Sequence, residues 1–364
     1  MDRIMTNRLD RGFYKYQEEF EAAALRTLRS GWYIMGKELE NFEKAYATYT
    51  GRKYALGVGN GLDALTLACR TLGIGEGDEV LVQGNTYIAS VMGISINGAT
   101  PVFIEPNEYY EIDETKLEAA LTEKTKAVMV VHLYGQAAKM DEICAFCKKH
   151  NLKLIEDCAQ SHGAKCGDTM TGSFGDIGCF SFYPSKNIGA FGDGGAVVTD
   201  NEAYYNHMKM LRNYGSAKRY YNDEVGVNSR LDEIQAALLS VRLSHVEELE
   251  EERKNLAKRY LEGIHNDKIV LPKVREGVSH VFHQFVIRCK ERDALITYLS
   301  EKGIDTIIHY PVPPHLSKAY AYLGKKVGDY PITEQYANEV LSIPMFNGLT
   351  VEEQDRVIEA LNAF

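Results

Sequence analysis

The sequence predicts an α/β fold with a mainly parallel sheet, followed by a smaller α+β segment, on three observations. Short apolar runs alternate with helical patterns over roughly residues 50 to 240. A long charged helical stretch follows, at about 230 to 264, and beyond it the pattern changes to a separate strand and helices. Strands interleaved with helices are joined most simply by crossovers, which make neighbouring strands parallel.

Taken in order, the first 50 residues read as polar helices suited to packing against a partner or the second lobe. The runs "KYALGVG", "EVLVQ", "TPVFIE", "AVMVVHL", "LKLIED" and "IGCFSFY" have the length and apolar character of buried strands. Between them "LDALTLACRTLG", "YIASVMGISINGA" and "MDEICAFCKKHN" carry helical periodicity. The charged stretch "RLDEIQAALLSVRLSHVEELEEERKNLAKRYLEGI" reads as one linker helix with a solvated "EELEEERK" face. "HVFHQFVIRC" reads as a strand, "ERDALITYLSEKGI" as a helix, and "TVEEQDRVIEALNAF" as the closing segment. These readings divide the chain into a large α/β domain, 1–240, and a small C-terminal α+β domain, 241–364, that includes the linker helix.

Composition narrows the function. The chain has 364 residues, 45% hydrophobic and 25% charged, with a formal charge of -10. Without a basic block, nucleic acid and anionic membranes are not expected partners. An anionic substrate must be met by local cations. The opening residues have no apolar signal core and no later run spans a bilayer, so a cytoplasmic location is expected. Seven cysteines spread over the chain suit reduced thiols. Cys144 and Cys147 form C-x-x-C inside an amphipathic helix without a second pair, which favours core packing over a metal or redox site.

Ligands of open parallel sheets sit beyond the carboxyl ends of the strands, and four such ends are unusual. "GVGNGLDAL" runs glycines directly into a helix, presenting N–H groups and a positive dipole end to an anion such as phosphate. It misses the dinucleotide fingerprint because Leu62 stands where glycine is required, and a tight turn is the plainer alternative. "LKLIEDCAQSHGA" closes a buried strand with Glu156 and Asp157, only one of which alternation can aim at the functional edge, and Gln160 follows nearby. "CFSFYPSKNIGAFGDGG" places Lys186 after an apolar approach and before clustered glycines. A lysine that loses hydration there falls below its ordinary pKa of ~10.4 and becomes a nucleophile toward carbonyl carbon. "NTYIAS" begins a helix with Tyr87, an aromatic that could be core or could lie flat on a planar ring. Together the four ends supply a phosphate cradle, an aromatic face, a buried anion and an amine, the protein parts that pyridoxal phosphate (PLP) requires.

In this order "GNGLDAL", "NTYIAS", "VVHLYGQAAKMDEI", "IEDCAQSHGA", "GSFGDIGCFSFYPSKNIGAFGDGGAVVT", "LRNYG" and "VNSRLDEIQAALLSVRL" resemble the nucleotide-sugar aminotransferases of the DegT/DnrJ family, from about residue 10 to the C-terminus. The resemblance implies the PLP fold type I of aspartate aminotransferase, with a mixed, mostly parallel sheet. It implies that Lys186 joins the cofactor aldehyde and shuttles the proton, and that Asp157 pairs with the ring nitrogen. It assigns Gln160 to the ring hydroxyl, Tyr87 to the ring face, and Ser181 with the backbone of Gly61 and Leu62 to the phosphate. Asn228 of "VNSRLDE" resembles a residue that reaches the phosphate of the other subunit, which makes a homodimer the catalytic unit. His309 and Tyr310 of "HYPVPPH", with Tyr183, are candidates for the sugar pocket, and Lys218, Arg219 and Arg230 for the diphosphate. For Lys218 and Arg219 a solvated basic loop is the competing reading. Many relatives that aminate C-4 read S-G-T-x-A-L where this chain has "NGLDAL", so a hydroxyl donor to the phosphate is replaced by Leu62, with Asp63 beside it.

The implied reaction moves the amino group of L-glutamate to the keto carbon of a nucleotide-linked sugar in two half-reactions. "NGLDAL" and "NTYIAS" look more like relatives that aminate C-3 of a dTDP-linked 3-keto-6-deoxyhexose than those acting at C-4 of a 4-keto isomer, the alternative. A nicotinamide dehydrogenase leaves Asp157 and Lys186 unexplained, and a dehydratase relative carries histidine in the lysine's place. A non-catalytic nucleotide-sugar sensor is the alternative of another class.

Overall fold

The computed structural model describes residues 2–364. Three helices come first, α1 (Leu9–Lys15), α2 (Gln17–Ser30) and α3 (Lys37–Thr50). The alternating region runs β1 (Tyr54–Val58), α4 (Gly61–Thr71), β2 (Glu79–Gln83), α5 (Ile88–Ser95), β3 (Thr100–Ile104), the short α6 (Leu117–Ala120), β4 (Thr125–Val131), α7 (Met140–His150) and β5 (Lys153–Asp157). A small ribbon, β6 (Lys165–Cys166) with β7 (Thr169–Met170), precedes β8 (Ile177–Ser181), β9 (Gly195–Thr199) and α8 (Glu202–Leu211). After α9 (Glu233–Ser244) and α10 (Val246–Gly263) come β10 (Ile269–Val270), β11 (Phe285–Cys289), α11 (Arg292–Glu301), α12 (Pro331–Glu339), β12 (Val340–Ile343) and α13 (Val351–Asn362).

Seven strands form the main sheet in the order β1-β9-β8-β5-β4-β2-β3. All neighbours from β8 to β3 pair parallel, whereas β9 is antiparallel to both β1 and β8. The sheet is thus α/β and mixed, and its one reversed strand is the "GAVVT" segment that closes the glycine-rich stretch. Side-chain alternation builds two cores. Val80, Val82 and Met129 pack with α4, α5 and α8 on one face, while Leu81, Val128 and Val130 pack with α7 on the other. Near β1 and β8 that second face is closed by Phe42 and Tyr46 of α3 and Leu239 of α9. A three-stranded antiparallel sheet, β10-β11-β12, carries a separate core that also takes in Ile4.

The stretch read as one helix from 230 to 264 is two. His245 separates α9 from α10 with φ -111° and ψ 10°. Its ring stacks on Tyr16 at 3.9 Å and its Nε2 meets Glu19 at 3.0 Å, so packing against the N-terminal helices turns the axis where helical periodicity continues. Further along α10 the buried Arg253 donates to the carbonyl of Phe282 and to Asn347 Oδ1, each at 3.0 Å. This fastens the linker to the segment that enters β11. No helix is long and apolar enough to cross a membrane among the described residues.

Of the two carboxylates ending β5, Glu156 turns away from the sheet's functional edge. It is fully buried and accepts from the N–H groups of Gly172, Phe174 and Gly175 at 2.7 to 2.8 Å. His132 Nδ1 accepts the N–H of Ala138, so its Nε2 carries the proton and donates to Glu156 at 3.1 Å. Burial works to raise the pKa of Glu156, but His132 and the backbone donors outweigh it and hold the carboxyl below its ordinary value. Glu156 therefore ties the loop before β8 to β4 and β5. Glu156→Gln presents an amide to donors that need acceptors, and should cost about 3 kcal/mol of unfolding free energy in a denaturant titration.

Candidate active site

The carboxyl ends of β1, β2, β5 and β8 open into one cavity of about 530 Å³. It brings together Gly61, Leu62, Tyr87, Asp157, Gln160, Ser181, Tyr183, Lys186, His309 and Tyr310. Asn228, Lys218, Arg219 and Arg230 are elsewhere on the chain: Asn228 is exposed, and Arg219 and Arg230 line a second, wider groove with Trp32 and Tyr214.

At the β1 end, Asn60 caps α4 by accepting the Asp63 N–H at 2.8 Å. The N–H groups of Gly61 and Leu62 in the same turn find no protein acceptor among the described residues. Glycine is required at 61, because a Cβ there would lie 2.8 Å from the Ser181 Cβ. This close approach sets the Ser181 side chain beside a helix N-terminus with free donors.

Asp157, 5% exposed, ends β5 inside the cavity. Its Oδ2 accepts from Ser90 Oγ at 2.7 Å and its Oδ1 from the Ala159 N–H at 3.1 Å. Burial raises its pKa above the ordinary value, and Ser90, Ala159 and the Lys186 charge only partly offset that. Such a carboxylate gains from a further cation or donor. Lys186 follows β8 in a turn closed by its own N–H to the Tyr183 carbonyl at 2.8 Å. Loss of hydration pulls its ammonium down to about 8, with the Asp157 charge pulling the other way.

Gln160 is held at both ends: its Oε1 accepts the Tyr134 N–H at 2.6 Å and its Nε2 donates to Tyr310 Oη at 3.0 Å. Tyr87, half exposed, precedes α5, and its ring lies 4.9 Å from that of Tyr310. His309 Nδ1 bonds Ser342 Oγ at 2.7 Å, and burial followed by the Lys186 charge lowers it to about 4. The 309–310 segment is further fastened by Tyr134 Oη, which donates to the His309 carbonyl.

The cavity also contains residues that sequence reasoning passed over. Ser90 lies within the quoted "NTYIAS", and a serine one turn into an apolar helix was its only signal. His283 and Gln284 enter from the segment before β11, which periodicity reads only as strand. The imidazole of His283 faces Asn187 Oδ1 at 3.3 Å, and burial holds it well below its ordinary pKa.

Comparison with known proteins identifies the family. Residues 15–362 match the model of the DegT/DnrJ/EryC1/StrS aminotransferase family. The dTDP-3-amino-3,6-dideoxy-α-D-galactopyranose transaminase of Aneurinibacillus thermoaerophilus is 52% identical over 96% of both chains. The crystal structure of S. venezuelae DesV in complex with a ketimine intermediate superposes with a TM-score of 0.98 at 44% identity, covering 100% of this chain and 98% of that one. NtdA from Bacillus subtilis, solved with bound cofactor PMP, gives 0.92 at 30% identity, over 99% of this chain and 85% of that one. With the whole sheet and nearly the full length matched, the chain belongs to the DegT/DnrJ/EryC1/StrS aminotransferase family.

Proposed function

We propose that the cavity holds PLP and that the protein, working as a cytoplasmic homodimer, transfers the amino group of L-glutamate to C-3 of a dTDP-linked 3-keto-6-deoxyhexose. The observation that carries this reading is the meeting of Lys186 and Asp157 in one cavity, beside a helix N-terminus whose first N–H groups are free. The residues fit the cofactor. Gly61, Leu62 and Ser181 would hold its phosphate, Asp157 its ring nitrogen, Tyr87 its ring face and Gln160 its ring hydroxyl. When bound, it supplies an aldehyde that carries the amine between substrates and a ring that accepts the electrons released when a C–H bond breaks.

The chain's own groups do the rest. Lys186, lowered to about 8, is partly neutral at physiological pH, so its Nζ can attack carbonyl carbon and afterwards take and return the proton of the reacting carbon. Asp157, anionic and short of donors, stabilises positive charge opposite it and is itself stabilised by it. Tyr183, His309 and Tyr310 line the sugar side; His309 and Tyr310 are fixed by bonds to Ser342 and Gln160. Fixed polar groups of this kind discriminate between ring carbons, because a misplaced hydroxyl leaves them unpaired.

The dimer reading rests on the exposed face around Trp32, Tyr33, Tyr214, Tyr220 and Tyr221, all more than half exposed. Asn228 would reach the partner's phosphate site from there. Lys218, Arg219 and Arg230 each lie over a tyrosine ring and would meet the substrate diphosphate, charge that an acidic chain must supply locally. The transaminase name of the 52% identical relative supports amination at C-3.

Lys186→Ala should abolish transamination and Asp157→Asn should reduce it by about 100-fold or more, both with native circular dichroism; normal turnover in Lys186→Ala removes the central assignment. The pH dependence has a defined sign. Because the neutral amine reacts, the rate at which PLP labels Lys186 in cofactor-free protein should rise through a midpoint of about 8. In Asp157→Asn that midpoint should fall, since the carboxylate it removes favours the ammonium. Given both keto sugars side by side, the protein should aminate the 3-keto-6-deoxy isomer preferentially. Product NMR showing the amine mainly at C-4 would overturn that choice and leave the aminotransferase reading standing.

A further inference from the structure

The position that departs from the S-G-T pattern has a definite structural use. Asp63 lies in the first turn of α4, one residue past Leu62, yet its carboxylate accepts from none of the N–H groups of that turn among the described residues. Its Oδ2 accepts the hydroxyl of Ser229 at 2.6 Å. The same hydroxyl oxygen accepts the N–H of Gly59 at 2.9 Å, so Ser229 Oγ is a donor to one side of the turn and an acceptor from the other. A Cβ at Gly59 would lie 3.2 Å from Asp63 Oδ2 and 3.3 Å from Ser229 Oγ, so a side chain there would press on this pair.

Ser229 is buried, while its neighbour Asn228 is exposed. The backbone around them is held on the other side as well. The Ser229 N–H donates to the Arg212 carbonyl at 2.9 Å, Asn228 pairs with Asn213, and Arg230 donates to Asn213 Oδ1 at 3.0 Å. Arg212 is in turn buried against Glu43 at 2.6 Å. The segment that presents Asn228 and Arg230 outward is thus attached inward at one side-chain point, Ser229, to the turn that carries this chain's own phosphate cradle.

We infer that Asp63 and Ser229 are positioning residues for the neighbouring subunit's cofactor site: they set the height and direction of Asn228, which acts across the dimer. The inference rests on the proposed sharing of sites between subunits. The Asp63 carboxylate touches no reacting group. It works as an acceptor for Ser229, and its negative charge is incidental to that.

The test is binding of pyridoxamine phosphate to the cofactor-free dimer by equilibrium dialysis, which requires no turnover. Asp63→Ala and Ser229→Ala should each weaken binding roughly tenfold, the scale of one lost hydrogen bond to a charged group. Asp63→Asn, which keeps an acceptor and discards the charge, should bind as the parent does. In an Asn228→Ala background, Asp63→Ala should add nothing, because its effect passes through Asn228. Full additivity, or loss in Asp63→Asn equal to that in Asp63→Ala, would overturn the inference and place Asp63 at its own cradle. Should Asn228→Ala alone leave binding unchanged, the sharing of sites fails and the inference with it; a tenfold loss there with additive Asp63→Ala sinks the inference alone. Thermal midpoints of the variants, measured in parallel, separate a positioning loss from unfolding.

Discussion

The burial of Asp157 beside Lys186 is the constraint on which the rest of the site depends. A carboxylate and an ammonium withdrawn from water each cost several kcal/mol unless something compensates them. Here the compensation is incomplete: Asp157 has one hydroxyl and one N–H, and Lys186 has burial against it and only the Asp157 charge in its favour. The result is an anion above its ordinary pKa and a cation below its own, both facing one space. Groups held in this state are costly to the apo fold and well matched to a ligand that brings a cationic ring nitrogen and an electrophilic carbon.

That cost is supportable because the surroundings are rigid. Glu156, one residue away and fully buried, is satisfied by four donors and holds the loop before β8. Two adjacent carboxylates on one strand therefore have opposite destinies: one fixes the scaffold and the other remains available. The second lobe is joined to the large one by backbone pairing, with Gln136 bridged to His280 and the Val281 N–H donating to the Gly135 carbonyl at 2.8 Å, and at the cavity by side chains as well. Tyr134, Gln160 and Tyr310 form a continuous set of hydrogen bonds, and Arg253 fastens the linker helix to the carbonyl next to His283. Motion of the small sheet relative to the large one must strain these contacts, so Tyr310 and the end of the cavity formed by the large sheet are held together.

Net charge of -10 imposes a second condition, since an anionic sugar nucleotide must approach an acidic molecule. The cavity itself offers Lys186 as its cation among the described lining residues. The cations that could draw in a diphosphate, Arg219 and Arg230, border the neighbouring groove, stacked on tyrosines. In the proposed dimer this separation would be resolved if the groove of one chain faced the cavity of the other.

By itself the sequence determined the alternation of strands and helices and the strand ends where chemistry gathers, since these follow from local periodicity and from residue types that are costly to bury; the choice of Asp157 as the partner of Lys186 came from the family resemblance and not from periodicity. Even there it read one helix where His245 makes two and did not separate "GAVVT" as a strand, because a stacked ring and an antiparallel partner lie far away along the chain. Which of Glu156 and Asp157 faces the cavity, that Ser90 serves Asp157, and that His283 and Gln284 arrive from the second lobe were decided only by tertiary structure. The physical reason is common to all of them: a strand's alternation fixes that neighbouring side chains point to opposite faces, but which face is the cavity depends on what the rest of the chain packs there.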